Sequence, residues 1–140
     1  MNKALGIDIG GTKISYALID NNGKILNEVE KISTPKTVDE IVNVLKNIIS
    51  KFEQDIEFVA IATAGAVNNE NTGVIGSTAN LACGYKDIDF QSLSNKKVFI
   101  ENDANAAAWA EYRIGAAQGY NNSIMLTLGT GVGGGIIING

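Results

Sequence analysis

Apolar and polar positions alternate along this chain in two different periods. Ala4 to Ile9 is a nearly unbroken apolar run and predicts a buried strand. Ile14, Tyr16 and Leu18 alternate with Ser15 and Ala17 and predict a second strand. Asn22-Gly23 is a strong hairpin signal, after which Lys24 to Ile32, with Ile25 and Val29 among polar residues, predicts a third. Pro35 ends that pattern. Thr37-x-x-Glu40 reads as a capping box, and the period then becomes helical: Ile41, Val44, Leu45, Ile48, Ile49 and Phe52 share one face. That stripe belongs to a core. Ile56 to Ala62 predicts another strand, parallel to the first because a helix crosses over to it.

A long loop-rich region follows. Asn68 to Gly76 reads as an excursion or hairpin, Ser77 to Leu81 as its return, and Gln91 to Asn95 as a short helix. Lys97 to Glu101 predicts a strand and Ala104 to Ala117 an Ala-rich helix, with Ala107, Ala110, Ile114 and Ala117 on one face and Asn102 or Asp103 as N-cap. Gly119 to Ser123 is a turn; Ile124 to Leu128 and Gly135 to Asn139 form a last hairpin. The order β-β-β-α-β, then β-α, then a new hairpin predicts an α/β fold. Residues 1–120 form a ribonuclease-H-like lobe with a mixed five-stranded sheet. Residues 121–140 open a second lobe that stops short, with no helix to cover its apolar hairpin. The expectation is the front half of a two-lobed protein.

Composition narrows the picture. The 140 residues amount to about one domain, and 45% hydrophobic residues suffice for a core. A net charge of -4 argues against non-specific binding to DNA or anionic membrane. There is no secretory pattern at the start, and no apolar run nears the roughly 18 residues of a membrane span, so a cytoplasmic location is expected. Cys83 stands alone, which excludes an internal disulfide and a multi-cysteine metal site, and it reads as a small buried hydrophobe. With no histidine, acid–base chemistry falls to carboxylates, Lys or Tyr.

The candidate chemistry lies at strand ends. Leu5 to Lys13 is an apolar run, a carboxylate, a Gly-Gly turn, a hydroxyl and an ammonium. Gly10 and Gly11 can take positive φ and leave no Cβ in the way of an anion. Thr12 adds a donor and Lys13 a charge, and Asp8 could hold Mg²⁺ through water. The set suits nucleotide phosphates; an ordinary hairpin turn is the alternative, and the Walker A spacing is absent. Thr127 to Gly135, containing Thr130, Gly131 and Gly133, repeats the design, so two hairpins could grip one nucleotide. Gly65, in Thr63-Ala64-Gly65-Ala66, falls at a strand's carboxyl end, where open α/β sheets place ligands. Asp103 falls at another; it is a cap or, in a chain without histidine, a base.

Taken in order, Gly6-Ile7-Asp8-Ile9-Gly10-Gly11-Thr12-Lys13, Ala64-Gly65-Ala66-Val67, Glu101-Asn102-Asp103-Ala104-Asn105-Ala106-Ala107-Ala108 and Leu128-Gly129-Thr130-Gly131-Val132-Gly133-Gly134-Gly135 resemble the ROK family of sugar kinases and repressors, within the actin/hexokinase/Hsp70 superfamily. The resemblance implies that Asp103 accepts the proton of a sugar's 6-hydroxyl, that Asn102 bonds neighbouring hydroxyls, and that Gly65 admits the sugar close to the backbone. Thr78 looks similar to a sugar-contacting Thr of N-acetylmannosamine kinases. Gly10 to Lys13 and Thr130 to Gly133 would hold ATP phosphates, with Asp8 near Mg²⁺. Ala64-Gly65-Ala66-Val67-Asn68 departs from the Pro-Gly-Pro-Val-Asp of many members. ATP and Mg²⁺ are the implied cofactors, and zinc only in a His- and Cys-rich motif of the second lobe. N-acetylmannosamine is the favoured sugar and glucose the next. The implied partners are sugar and ATP, with no nucleic acid or membrane, in a full-length homodimer; this segment alone is expected to be inactive. A non-catalytic sugar-sensing protein is the other reading. No helix-turn-helix pattern precedes the first motif, which favours a kinase.

Overall fold

The central strand of the main sheet is β1 (Lys3–Ile9), with β2 (Lys13–Asp20), β3 (Glu30–Ser33), β4 (Phe58–Thr63) and β5 (Lys97–Asn102) arranged in the order β3-β2-β1-β4-β5. These elements come from a computed structural model that describes residues 3–76, 80–129 and 131–140. β1 runs antiparallel to β2, from Lys3↔Asp20 to Ile9↔Ile14, and parallel to β4, from Ala4↔Phe58 to Ile9↔Thr63. The sheet is therefore mixed and five-stranded, as the element order predicts.

Helix α1 (Val38–Phe52) connects β3 to β4. Its cap is the predicted one: Thr37 Oγ1 accepts from the Glu40 N–H at 3.3 Å and donates to the Glu40 carboxylate at 2.8 Å. Ile41, Leu45, Ile48 and Ile49 are buried in one cluster with Leu5, Ile7, Ile9, Val59, Ile61, Val98 and Ile100. At about 1.5–3 kcal/mol for each side chain fully buried, this stripe outweighs the roughly 1 kcal/mol of the cap in holding the helix.

Two local expectations are corrected. The third strand is shorter than Lys24 to Ile32. Asn27 Oδ1 accepts from the Leu18 N–H at 2.7 Å, so a side chain occupies a position where a strand backbone would bond. Only an isolated bridge, Ile19↔Ile25, precedes β3, and Ile25, Leu26 and Val29 stay exposed. The Asn22-Gly23 turn itself forms, with Gly23 at φ 79° and Asp20 Oδ1 accepting from Asn22 and Lys24. Cys83 is exposed rather than buried. Tyr85 and Phe90 fill the core nearby, stacked edge to face from two single-turn 3-10 segments, Tyr85–Asp87 and Phe90–Leu93. The second of these stands where a short helix is predicted.

Two compact units result, Met1–Glu101 and Asn102–Gly140. The second holds α2 (Asp103–Ile114) and the antiparallel pair β6 (Ser123–Leu128) and β7 (Val132–Ile137). One face of this hairpin is covered, contrary to expectation. A Cβ on Gly133 would lie 3.1 Å from Ala104 Cβ, and one on Gly135 would lie 2.8 Å from the Ala104 carbonyl oxygen. Glycines on β7 thus let α2 lie directly on the strand. The buried positions of α2 are Ala104 and Ala108, whereas Ala110 and Ile114 of the predicted face are exposed. On the hairpin's other face Ile124, Leu126, Leu128, Val132 and Ile136 are 64–82% exposed. Among the described residues, no helix is long and apolar enough to cross a membrane.

Candidate active site

The first glycine turn joins β1 to β2. Gly10 N–H donates to the Lys13 carbonyl at 3.0 Å. Neither Gly10 nor Gly11 takes a positive φ, so conformational freedom is not what the pair supplies. Room is: a Cβ on Gly11 would lie 2.6 Å from the Asn80 carbonyl oxygen and 2.8 Å from Asn80 Cβ. Thr12 and Lys13 are exposed, as is Asp8 at the end of β1. Asp8 sits opposite Ser15 and Ala62 in the strand register. A residue that the motif does not include holds the turn. Thr34 Oγ1 donates to Gly10 O at 2.6 Å, and Thr34 N–H donates to Thr12 O at 3.0 Å.

The parallel pairing Ile9↔Thr63 brings the carboxyl end of β4 beside this turn. Gly65 follows at φ 100°, a conformation that favours glycine. Thr63, fully buried, shares a 2.8 Å hydrogen bond with the equally buried Tyr85 hydroxyl and fixes where β4 ends. Burial pushes the Tyr85 phenol up to about 12, against a smaller lowering by the Thr63 bond. The predicted excursion over 68–76 forms, with a bridge Val67↔Val74 and Asn68 Oδ1 accepting from the Thr72 and Gly73 N–H groups. Its Asn71, at φ 55°, donates from Nδ2 to Ile100 O and Glu101 Oε2, both at 2.9 Å, and its carbonyl accepts from Ile100 N–H. Thr78 lies outside the described residues.

In the second unit Asn102 is the cap of α2. Its Oδ1 accepts from the Ala104 and Asn105 N–H groups at 3.0 and 3.1 Å. Asp103 is the first helical residue and is exposed. Its Oδ1 accepts from the Ala104 N–H at 2.8 Å, and among the described residues no hydrogen bond is drawn to Oδ2. The carboxylate is thus oriented by the helix start without serving as its cap. In the hairpin, Gly129 N–H donates to Gly131 O at 3.0 Å across the connection of β6 to β7, and Thr130 lies outside the described residues. Gly133 is a strand residue opposite Thr127, packed on α2, rather than part of the turn.

The Gly10–Gly11 turn thus lies beside the end of β4 in the first unit, and the Gly129–Gly131 turn belongs to the same unit as Asn102 and Asp103. Among the described residues, no group of three or more His, Cys, Asp or Glu is placed to hold a metal ion. Sequence reasoning missed Thr34, Tyr85 and Asn71. Thr34 lies just before Pro35, and nothing in the local pattern signals its partners.

A mixed five-stranded sheet with a glycine turn at the end of its central strand, followed by a helix opening in Asn-Asp, matches the amino-terminal lobe of ROK and actin-like kinase structures. Residues 4–140 match the model of the ROK family, and the chain belongs to that family. It is 38% identical to a glucokinase of Streptomyces coelicolor over 99% of this chain and 44% of that protein. It is 33% identical to an N-acetylmannosamine kinase of Yersinia pestis over 99% of this chain and 48% of that one. Among solved structures, a ROK family glucokinase from Streptomyces griseus in complex with glucose and AMPPNP aligns with a TM-score of 0.84 at 39% identity, covering 99% of this chain and 45% of that one. The chain thus spans about half the length of the curated relatives it matches.

Proposed function

We propose that this chain is the amino-terminal part of an ATP-dependent kinase that phosphorylates the 6-hydroxyl of a hexose or an N-acetylhexosamine. The observation that carries the reading is Asp103: Asn102 takes the cap, and the Asp103 carboxylate stays exposed at the helix start. A sugar hydroxyl is a weak nucleophile. Asp103 accepts its proton as the 6-oxygen attacks the γ-phosphorus, the bond to the bridging oxygen breaks, and ADP leaves with that electron pair. The Gly11 and Thr12 N–H groups and the Lys13 ammonium hold the phosphates. Gly65 lets the sugar approach the backbone. Asn102, whose Oδ1 accepts from the Ala104 and Asn105 N–H groups, would contact neighbouring sugar hydroxyls. Asp8 would hold Mg²⁺ through water, and the ion when bound offsets charge on the phosphates. Thr78 and Thr130 enter by the family resemblance alone, as do zinc in the second lobe and a homodimer.

Two sugars lead, because the relatives include kinases named for glucose and for N-acetylmannosamine. The test is ADP release by the full-length protein with a panel of hexoses and N-acetylhexosamines, with Asp103→Asn beside it. The expected outcome is sugar-dependent ADP that falls by about 10²–10⁴-fold in the variant. Sugar binding by calorimetry with no turnover on any sugar would instead make the protein a sugar sensor.

A further inference from the structure

Two carbonyl groups of the Gly10–Lys13 turn, those of Gly10 and Thr12, would repel a phosphate if they faced it. Both are held by one residue. Thr34, 5% exposed, donates its hydroxyl to Gly10 O at 2.6 Å and its N–H to Thr12 O at 3.0 Å. In a trans peptide the carbonyl of one residue and the N–H of the next point in opposite directions. Holding the Gly10 carbonyl against Thr34 therefore turns the Gly11 N–H to the opposite side. Among the described residues no hydrogen bond is drawn from the N–H groups of Gly11 or Thr12. A peptide between two glycines also meets the least steric resistance to flipping, so this is the peptide that most needs a clamp.

We infer that Thr34 is a positioning residue for the nucleotide: its buried hydroxyl locks the Gly10–Gly11 peptide with its N–H outward and thereby sets the affinity for ATP phosphates. The inference rests on the kinase reading. Thr34 touches neither substrate; it acts through the turn. A purely structural role would lower stability and disturb both substrates alike. A positioning role raises the KM for ATP and leaves the KM for sugar in place.

The test compares Thr34→Val, which keeps the shape and loses the hydroxyl, with Thr34→Ser, which keeps the hydroxyl and loses a methyl group, in the full-length protein. Steady-state kinetics are run with ATP and sugar varied in turn, and AMPPNP binding is measured by calorimetry without sugar. Thr34→Val is expected to raise the KM for ATP and the Kd for AMPPNP about five- to tenfold, the effect of one lost hydrogen bond. The KM for sugar stays within about twofold, and Thr34→Ser stays near wild type in both. If Thr34→Val does not fold, Thr34→Ala against Thr34→Ser makes the same comparison. Wild-type turnover with an unchanged KM for ATP in the hydroxyl-free variant, or with both KM values rising together, overturns the inference alone. A wild type that neither binds AMPPNP nor releases ADP overturns the kinase reading and the inference with it.

Discussion

Thr63 and Tyr85 show what a single buried hydroxyl can hold. Both residues are fully buried, and each satisfies the other at 2.8 Å. Thr63→Val strands the Tyr85 hydroxyl and is expected to cost about 1–3 kcal/mol in urea denaturation. Tyr85→Phe costs less, because Thr63 Oγ1 also donates to the Ala64 carbonyl at 3.3 Å. The double variant loses less than the sum of the two, since neither partner is then left unpaired. Tyr85 also predicts a pH dependence. Folded, the phenol keeps its proton up to about 12; unfolded, it loses it near 10. Between those values the unfolded chain binds fewer protons, so rising pH favours unfolding. Its contribution is fully present below pH ~10 and declines toward pH 12, by up to about 2–3 kcal/mol, and Tyr85→Phe flattens that part of the stability–pH curve. None of this was legible in the sequence. A Thr on a buried strand and a Tyr 22 residues later carry no mark of each other, and the same holds for Thr34 and Gly10, paired across 24 residues.

Elements were legible to the extent that their signals are local. The cap and stripe of α1 lie within a few residues of each other, and both formed as predicted. The cap of α2 was legible too, up to the choice between two adjacent residues, which the hydrogen bonds assign to Asn102. Asn102→Ala is expected to cost about 1 kcal/mol by thermal denaturation, and Asn102→Ser to recover most of it, because a hydroxyl can accept the same N–H groups. The buried face of α2 was not legible. Apolarity alone favours the row with Ile114, but Gly133 and Gly135 present a strand without side chains, and close approach to it selects Ala104 and Ala108. A glycine run also looks the same whether it turns or packs; here Gly129 and Gly131 lie at the turn, and Gly133 and Gly135 serve packing. The third strand failed for a comparable reason, since an Asn side chain took a ladder position.

The two units differ in what they bury. The main apolar cluster draws its buried residues from Leu5 to Ile100, all within the first unit. In the second, α2 buries only Ala104 and Ala108, and one face of the hairpin stays exposed. A polypeptide of residues 1–101 is therefore expected to keep a cooperative thermal transition by circular dichroism. Residues 102–140 alone are expected to show none, because a two-stranded hairpin with one short helix lies below the roughly 40 residues at which a core becomes self-sufficient. A cooperative transition in the shorter piece would mean that its packing on the strand glycines contributes far more than two buried alanines suggest.

The sequence by itself determined the order and type of most elements, the mixed sheet and the ROK membership. Periodicity, caps and glycine motifs are written in residues that are neighbours along the chain, and each element's own face decides them. Only the tertiary structure decided what holds the strand ends in place. Thr34 on the first turn, Tyr85 on Thr63, Asn71 on Ile100 and Glu101, and the glycines under α2 are contacts between residues far apart in sequence. A hydrogen bond or a close backbone approach depends on where the partner arrives, and the partner arrives only when the sheet has formed.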